Sequence, residues 1–184
     1  MIKSWTIIES NQHVKVGPFT IKKNRCRSPR TGKEHDFYVF DSSSWVNIIP
    51  ITEDDKIVMV RQYRHGCNCM LLEVPGGLVD NGDKNSVETA KRELLEETGY
   101  ISEDITHIST VYPQPAFINN QGMTFVAKRA RKVSIQTLDD AEDIEVVLME
   151  QKKIQEMLLN GDLRHGQTVM ALSLYLLMRT ENTD

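Results

Sequence analysis

Long apolar runs are missing from this 184-residue chain. A bilayer-spanning helix needs about 20 consecutive apolar residues. The best stretch, Ala171-Leu172-Ser173-Leu174-Tyr175-Leu176-Leu177-Met178, is far too short. The first residues, Met1-Ile2-Lys3-Ser4-Trp5, lack the charged-then-apolar layout of a secretion signal. Cysteine is scarce too. Cys26, Cys67 and Cys69 cannot all pair, so a disulfide framework is excluded. Cys67-Asn68-Cys69 beside His65 has no second ligand pair at zinc spacing, and the five histidines form no ligand pattern. These absences predict a cytoplasmic protein with reduced thiols and no membrane contact. Basic charge is not in excess either: 22 Lys and Arg stand against 26 Asp and Glu, for a net charge of -4. That argues against a nucleic-acid polymer as partner. A nucleotide substrate stays open, because a metal ion supplies positive charge locally.

What is present is an ordinary globular balance, with 40% apolar and 26% charged residues. The length suits about one domain with its own core. His13–Val16 and Phe19–Lys22 flank Gly17-Pro18 as two strands around a turn. The basic stretch from Lys22 to Lys33 reads as a loop, and Asp36–Phe40 as a further strand. Trp45–Ile51 and Lys56–Tyr63 read as a buried strand pair; Ile57-Val58-Met59-Val60 is apolar throughout, as in a strand covered on both faces. After the strand Leu71–Val74, Pro75-Gly76-Gly77 breaks the chain. A helix from Ser86 to Thr98 follows, with Asn85 as N-cap, Glu88 completing a capping box and Gly99 at the C′ position. Strands near Ile105–Tyr112 and Met123–Lys128 come next, and helices near Glu150–Asn160 and Gln167–Arg179 close the chain. Interleaved strands and helices without repeats predict an α/β or α+β domain.

The informative helix segment is Arg92-Glu93-Leu94-Leu95-Glu96-Glu97-Thr98-Gly99. Glu93, Glu96 and Glu97 share an arc of roughly 100° on one face. Like charges at these spacings repel by a few tenths of a kcal/mol each. The macrodipole disfavours anions in the last turns by roughly 0.3–1 kcal/mol each. A hard divalent cation would compensate; a solvated acidic face is the other reading.

Together, Pro75-Gly76-Gly77-Leu78-Val79-Asp80-Asn81-Gly82-Asp83 and Arg92-Glu93-Leu94-Leu95-Glu96-Glu97-Thr98-Gly99-Tyr100 resemble the Nudix box, G-x5-E-x7-R-E-U-x-E-E-x-G-U, where U is bulky and apolar. Gly77 matches its first glycine, and Arg92, Glu93, Leu94, Glu96, Glu97, Gly99 and Tyr100 match its end. Asp83 stands where the family has its first glutamate, and eight residues separate it from Arg92 instead of seven. That leaves Glu88 as an alternative brace for the arginine. Val60-Arg61-Gln62-Tyr63-Arg64, Leu72-Glu73-Val74-Pro75-Gly76-Gly77 and Gly161-Asp162-Leu163 leading into Gln167–Leu172 resemble the ADP-ribose and nucleotide-sugar pyrophosphatase branch. The resemblance covers about residues 45–180.

The resemblance implies a Nudix fold, a mixed sheet sandwiched between helices. It further implies an N-terminal β segment (1–42) that forms a homodimer and a catalytic domain over 43–184. It implies metal-dependent hydrolysis of a nucleoside diphosphate linked to a sugar. Glu93, Glu96, Glu97 and the Gly77 carbonyl are then the ligands of Mg2+ or Mn2+, with Arg92 orienting them. Glu142 is the expected general base, Asp140 the second candidate, and Glu145 is either a ligand or a strand-face residue. Arg61, Arg64 and Glu73 are the expected substrate-binding residues; strand alternation separates the two arginines, so one of them serves. Trp45, Phe37 and Tyr38 are either base-stacking groups or core. Tyr112–Asn120 lacks the proline-glycine turn and acids expected of ADP-ribose enzymes, which leaves GDP- and UDP-sugars open. The alternatives are clearance of dinucleoside polyphosphates or other nucleotides, and a non-catalytic nucleotide-sugar sensor.

Overall fold

The computed structural model describes residues 1–17, 19–80 and 82–181. Pro18 of the expected Gly17-Pro18 turn and Asn81 of the glycine loop lie outside the described residues. Two compact units are present, Met1–Ser43 with Tyr112–Gln121, and Ser44–Val111 with Gly122–Asp184.

The first unit is an antiparallel sheet of β1 (Thr6–Val16), β2 (Phe19–Arg27) and β3 (Glu34–Asp41), in that order. Strand β2 runs through Lys22–Arg27, where the basic composition predicts a loop. Cross-strand charge pairing accounts for the difference. Lys22 meets Asp41 at 2.5 Å, Lys23 meets Asp36 at 2.7 Å and Arg25 meets Asp36 at 3.1 Å. Phe37 and Tyr38 are exposed on this sheet, each edge-on to another ring (Trp5 and His13), so the core reading fails for both. Tyr112–Gln121 joins this unit through the Phe40 N–H, which donates to the Phe117 carbonyl at 2.7 Å, and a bridge between Phe40 and Ile118.

The second unit comprises β4 (Trp45–Thr52), β5 (Lys56–Arg64), β6 (Cys69–Glu73), α1 (Ser86–Thr98), β7 (Tyr100–Ile101), β8 (Asp104–Val111), β9 (Gly122–Lys132), β10 (Ile144–Glu150), α2 (Gln151–Asn160) and α3 (Gly166–Glu181). Its sheet runs β10-β5-β4-β9-β7, with β6 on β5 and β8 on β9; β4 and β9 are parallel, the other pairs antiparallel. Alternation along β4 and β5 sorts the core into two layers. Val46, Ile48 and Val58 pack with Ala90 and Leu94 of α1, whereas Ile49, Ile51, Ile57 and Met59 pack with Ile154 of α2 and Ala171 and Leu172 of α3. Both faces are therefore covered, which is why these strands are apolar along their length. Leu94 is fully buried, and truncating such a leucine to alanine costs about 2–5 kcal/mol. Among the described residues, no helix is long and apolar enough to cross a membrane.

Candidate active site

Helix α1 forms where its caps predict. The Asn85 side chain accepts from the Val87 and Glu88 amides, and Gly99 takes the left-handed conformation at φ 73°, its N–H donating to the Leu95 carbonyl. The capping box is only half made, because Glu88 pairs with Lys91 at 3.2 Å. Seating Ala90 and Leu94 in the core fixes the rotation of the helix and turns Glu93 and Glu97 toward the glycine loop. Glu97 is only 4% exposed, and its Oε2 accepts from the Gly76 amide at 2.9 Å. A Cβ on Gly77 would collide with the Glu93 carboxylate, and one on Gly76 with the Val46 carbonyl. Glycine is required at both positions because the loop lies directly on the helix and on β4. The Gly77 carbonyl accepts from the Val46 amide at 2.9 Å, leaving it one lone pair.

Arg92 ties this face together. Its Nη1 lies 2.9 Å from Glu93 and 2.9 Å from Glu96, its Nη2 3.2 Å from Asp83, and it donates to the Leu78 carbonyl at 3.3 Å. Asp83 therefore braces Arg92 despite the extra residue between them, and Glu88 does not. Thr89 Oγ1 donates to Asp83 at 2.8 Å, and the Arg92 guanidinium holds the Asp83 carboxyl below its usual range.

Burial pushes the Glu93 carboxyl up to about 7 and the Glu97 carboxyl up to about 8. The charge of Glu142 is among the smaller causes of both shifts, so the acidic loop before β10 lies within electrostatic reach of the helix. That loop hangs from the end of α1. Gln136 Nε2 donates to the carbonyls of Glu97 at 2.7 Å and Ile144 at 2.9 Å, and the Thr137 amide donates to the Glu96 carbonyl at 2.9 Å. Nothing in the sequence pattern signalled Gln136. Glu142 Oε2 accepts from the Asp139 amide at 3.1 Å, and both Glu142 and Asp140 are exposed. Among the described residues, no three His, Cys, Asp or Glu side chains group as a ready-made metal cage. The donor set nevertheless fits a hard divalent cation, with carboxylate and carbonyl oxygens, a buried Glu97 and a half-buried Glu93 that shares the Arg92 charge with Glu96.

The two arginines of β5 part as alternation predicts. Arg61 pairs with Glu145 at 2.7 Å on an exposed face. Arg64 grips Glu73 with two bonds, Nε to Oε1 at 2.8 Å and Nη2 to Oε2 at 2.6 Å. Glu73 is 1% exposed, and this fork is the bidentate geometry that guanidinium offers a carboxylate. His165 Nδ1 lies 3.3 Å from Glu73 Oε2 and 2.9 Å from Thr168 Oγ1, which accepts from the Val74 amide at 3.0 Å. Burial lowers the His165 value. A cavity of about 220 Å3 lies here, lined among others by Trp45, Asn47, Arg64, Glu73, Gly77 and His165. Sequence reasoning missed Asn47 and His165, since neither belongs to a spacing pattern.

A mixed sheet between helices, with helix glutamates pressed onto a glycine loop, defines an α/β domain of the kind the box motif implies. Residues 43–172 match the NUDIX domain, and the chain belongs to that family. It is 30% identical over 155 residues to the GDP-mannose pyrophosphatase of Salmonella arizonae, covering 78% of this chain and 80% of that one. It is 28% identical over 128 residues to the ADP-ribose pyrophosphatase of Bacillus subtilis and 31% identical over 128 residues to the methanol dehydrogenase activator of Bacillus methanolicus, in both cases covering 69% of each chain. A crystal structure of an ADP compounds hydrolase superposes with a TM-score of 0.85 over 99% of this chain and 97% of that one, at 22% identity. The fold is thus the Nudix fold.

Proposed function

We propose that this chain is a pyrophosphatase of nucleoside diphosphate sugars. Water attacks one phosphorus, the P–O–P bridge breaks, and a nucleoside monophosphate and a sugar phosphate leave. The observation that carries the reading is the pair of half-buried Glu93 and buried Glu97, pressed against Gly77 and Gly76 with carboxyls pushed up to about 7 and about 8. Such a pair attracts cations to a loop of backbone amides. The relatives named for ADP-ribose and GDP-mannose support the substrate class.

Hydrolases of this family generally use divalent metal ions. Mg2+ or Mn2+ held by Glu93, Glu96, Glu97 and the Gly77 carbonyl supplies neutralisation of phosphate charge and a more acidic water. Arg92 orients Glu93 and Glu96 through its shared Nη1. Glu142 takes the proton of the attacking water at Oε1, its Oε2 being held by the Asp139 amide; Asp140 is the alternative. Arg64 keeps Nη1 for a phosphate oxygen while Glu73 fixes the rest of its fork. Arg61, paired with Glu145, serves the rim.

The test is incubation with Mg2+ and a panel of ADP-ribose, GDP- and UDP-sugars, NADH and dinucleoside polyphosphates, with products identified by mass spectrometry. A nucleoside monophosphate plus a sugar phosphate is the expected result. Turnover of dinucleoside polyphosphates alone redirects the substrate class, and tight binding without turnover makes the chain a sensor.

The N-terminal segment, residues 1–42, is proposed to mediate a homodimer. Its sheet exposes Ile7, Ile8, Val14, Val16, Phe37 and Tyr38, apolar side chains that a second copy would cover. A monomer by light scattering at micromolar concentration overturns this. Three free cysteines support a reducing, cytoplasmic setting.

A further inference from the structure

Cys67 and Cys69 have no part in the site described above, yet the turn between β5 and β6 brings their sulfurs together. Their Sγ atoms lie 3.0 Å apart, with the Cys69 thiol donating to Cys67. Asn68 between them takes the left-handed conformation at φ 54°, a region that asparagine adopts more readily than most residues. Its side chain accepts from the Tyr63 hydroxyl on β5. The backbone of the turn therefore holds the two thiols in contact. Among the described residues, no His, Cys, Asp or Glu completes a group of three around them, so the pair falls short of a metal cage. A disulfide needs about 2.05 Å between its sulfurs, so closing the pair takes a shift of only about 1 Å.

Cys67 is exposed and Cys69 half-buried, whereas Cys26 is buried. The bond to Cys67 holds the Cys69 thiol above its ordinary value, so Cys67 is the sulfur that meets an incoming reagent. The turn also starts at a residue of the candidate active site. The Arg64 carbonyl accepts from the Cys67 amide at 3.2 Å and from the Cys67 thiol at 3.5 Å, and Arg64 lies opposite Cys69 in the ladder of β5 and β6. A disulfide has no S–H to donate. Closing the pair removes one of those bonds and pulls on the residue whose guanidinium grips Glu73.

We propose that Cys67 and Cys69 form a reversible dithiol–disulfide site that exchanges with low-molecular-weight disulfides and, when closed, loosens the hold of Arg64 on Glu73. The Cys67 thiolate attacks one sulfur of the small disulfide, forming a mixed disulfide and releasing one thiolate, which takes up the proton that Cys67 lost. The Cys69 thiolate then attacks Cys67 Sγ. The mixed disulfide breaks, and a second small thiol leaves with the Cys69 proton. The two cysteines lose two electrons and two protons, and the small disulfide gains them. Exposed or strained disulfides are the labile, regulatory ones. The effect on Arg64 is read through the pyrophosphatase activity and rests on that reading; the thiol exchange does not.

The experiment incubates the reduced full chain with glutathione disulfide, alkylates the remaining thiols and maps the tryptic peptides by mass spectrometry. Cleavage after Arg64 and Lys84 gives one peptide that carries both Cys67 and Cys69. That peptide is expected without alkylation and lighter by two hydrogens, with Cys26 still a thiol and dithiothreitol reversing the change. Cys69→Ser is expected to stop at the glutathione adduct on Cys67. A wild type that keeps both thiols, or that holds the adduct as Cys69→Ser does, overturns the site. Should the variant fail to fold, the wild-type map decides alone. The reduced and oxidised chains are then compared on ADP-ribose and GDP-mannose with Mg2+. Closing the pair is expected to raise KM about tenfold with a smaller change in kcat, as loss of a hydrogen bond to a charged group does. Cys67→Ser, which cannot close, is expected to show no such change after the same treatment. A closed disulfide with the KM of the reduced chain overturns the effect on Arg64. A reduced chain that turns over neither substrate overturns the pyrophosphatase reading, and the peptide map still decides the thiol site.

Discussion

Two sets of carboxylates in this chain have opposite electrostatics. In the three-stranded sheet, Asp36 lies in water beside Arg25 and Lys23, whose hydrogen bonds hold its carboxyl down to about 2. On α1, burial pushes Glu93 up to about 7 and Glu97 up to about 8. The first arrangement is complete: each acid has its base, and the pairs hold an apolar-poor strand in register. The second is incomplete by itself, because Arg92 reaches Glu93 and Glu96, while Glu97 accepts from the Gly76 amide at 2.9 Å and has no ion pair among the described residues. An acid that is costly to ionise where it stands is suited to a cation that arrives from outside.

Breaking the buried set has the largest expected effect. Glu97→Gln keeps the shape and the Gly76 hydrogen bond but removes the charge. It should lower kcat/KM about 10³-fold on whichever nucleotide sugar is turned over, since a bound metal contributes several kcal/mol and each tenfold is about 1.4 kcal/mol. Metal-free melting temperature at pH 8 should stay level or rise. Full activity would sink the metal-site assignment. Next comes Glu142→Gln, expected to lower kcat about 10²-fold with little change in KM, as loss of a general base does. Asp140→Asn serves as its control, and a reversed outcome moves the role to Asp140.

The third prediction uses pH. Between the ordinary carboxyl value of 4.5 and about 8, the folded chain binds more protons at Glu93 and Glu97 than the unfolded chain does. Metal-free stability therefore falls as pH rises through that window. Mg2+, which replaces those protons, should raise the melting temperature more at pH 8 than at pH 5.5. Calorimetry with and without EDTA checks this, and equal Mg2+ shifts at both values would refute it. The smallest effect belongs to the exposed set. Asp36→Asn should leave activity unchanged and cost a little stability that disappears in high salt. Its sign is the reverse of Glu97's, because the depressed Asp36 value contributes stability that is lost as pH falls from 3.8 toward about 2.

The same division between local and distant partners governs what was legible beforehand. Helix α1 was readable to the residue because Asn85, Gly99 and the apolar spacing act within a few positions. Strand β2 is not legible in the sequence because its basic residues look like a loop until β3 brings Asp36 and Asp41 beside them. Spacing alone leaves Glu88 as an alternative brace, yet the fold of the loop returns Asp83 to Arg92. The place of the half-buried Trp45 in a cavity wall is not legible in the sequence, because Gly122 comes opposite it only when β4 pairs with β9.

What the sequence determined by itself is the box: three glutamates on one helix face, a capped helix and a glycine loop, all set by spacings of a few residues. Tertiary structure alone decided which of those glutamates is buried, that Gln136 ties the acidic loop to α1, and that Arg64, Glu73 and His165 meet around one cavity. The physical reason is that burial and low dielectric arise only when distant segments pack. A carboxylate's proton affinity, unlike its place on a helix, depends on the segments packed against it.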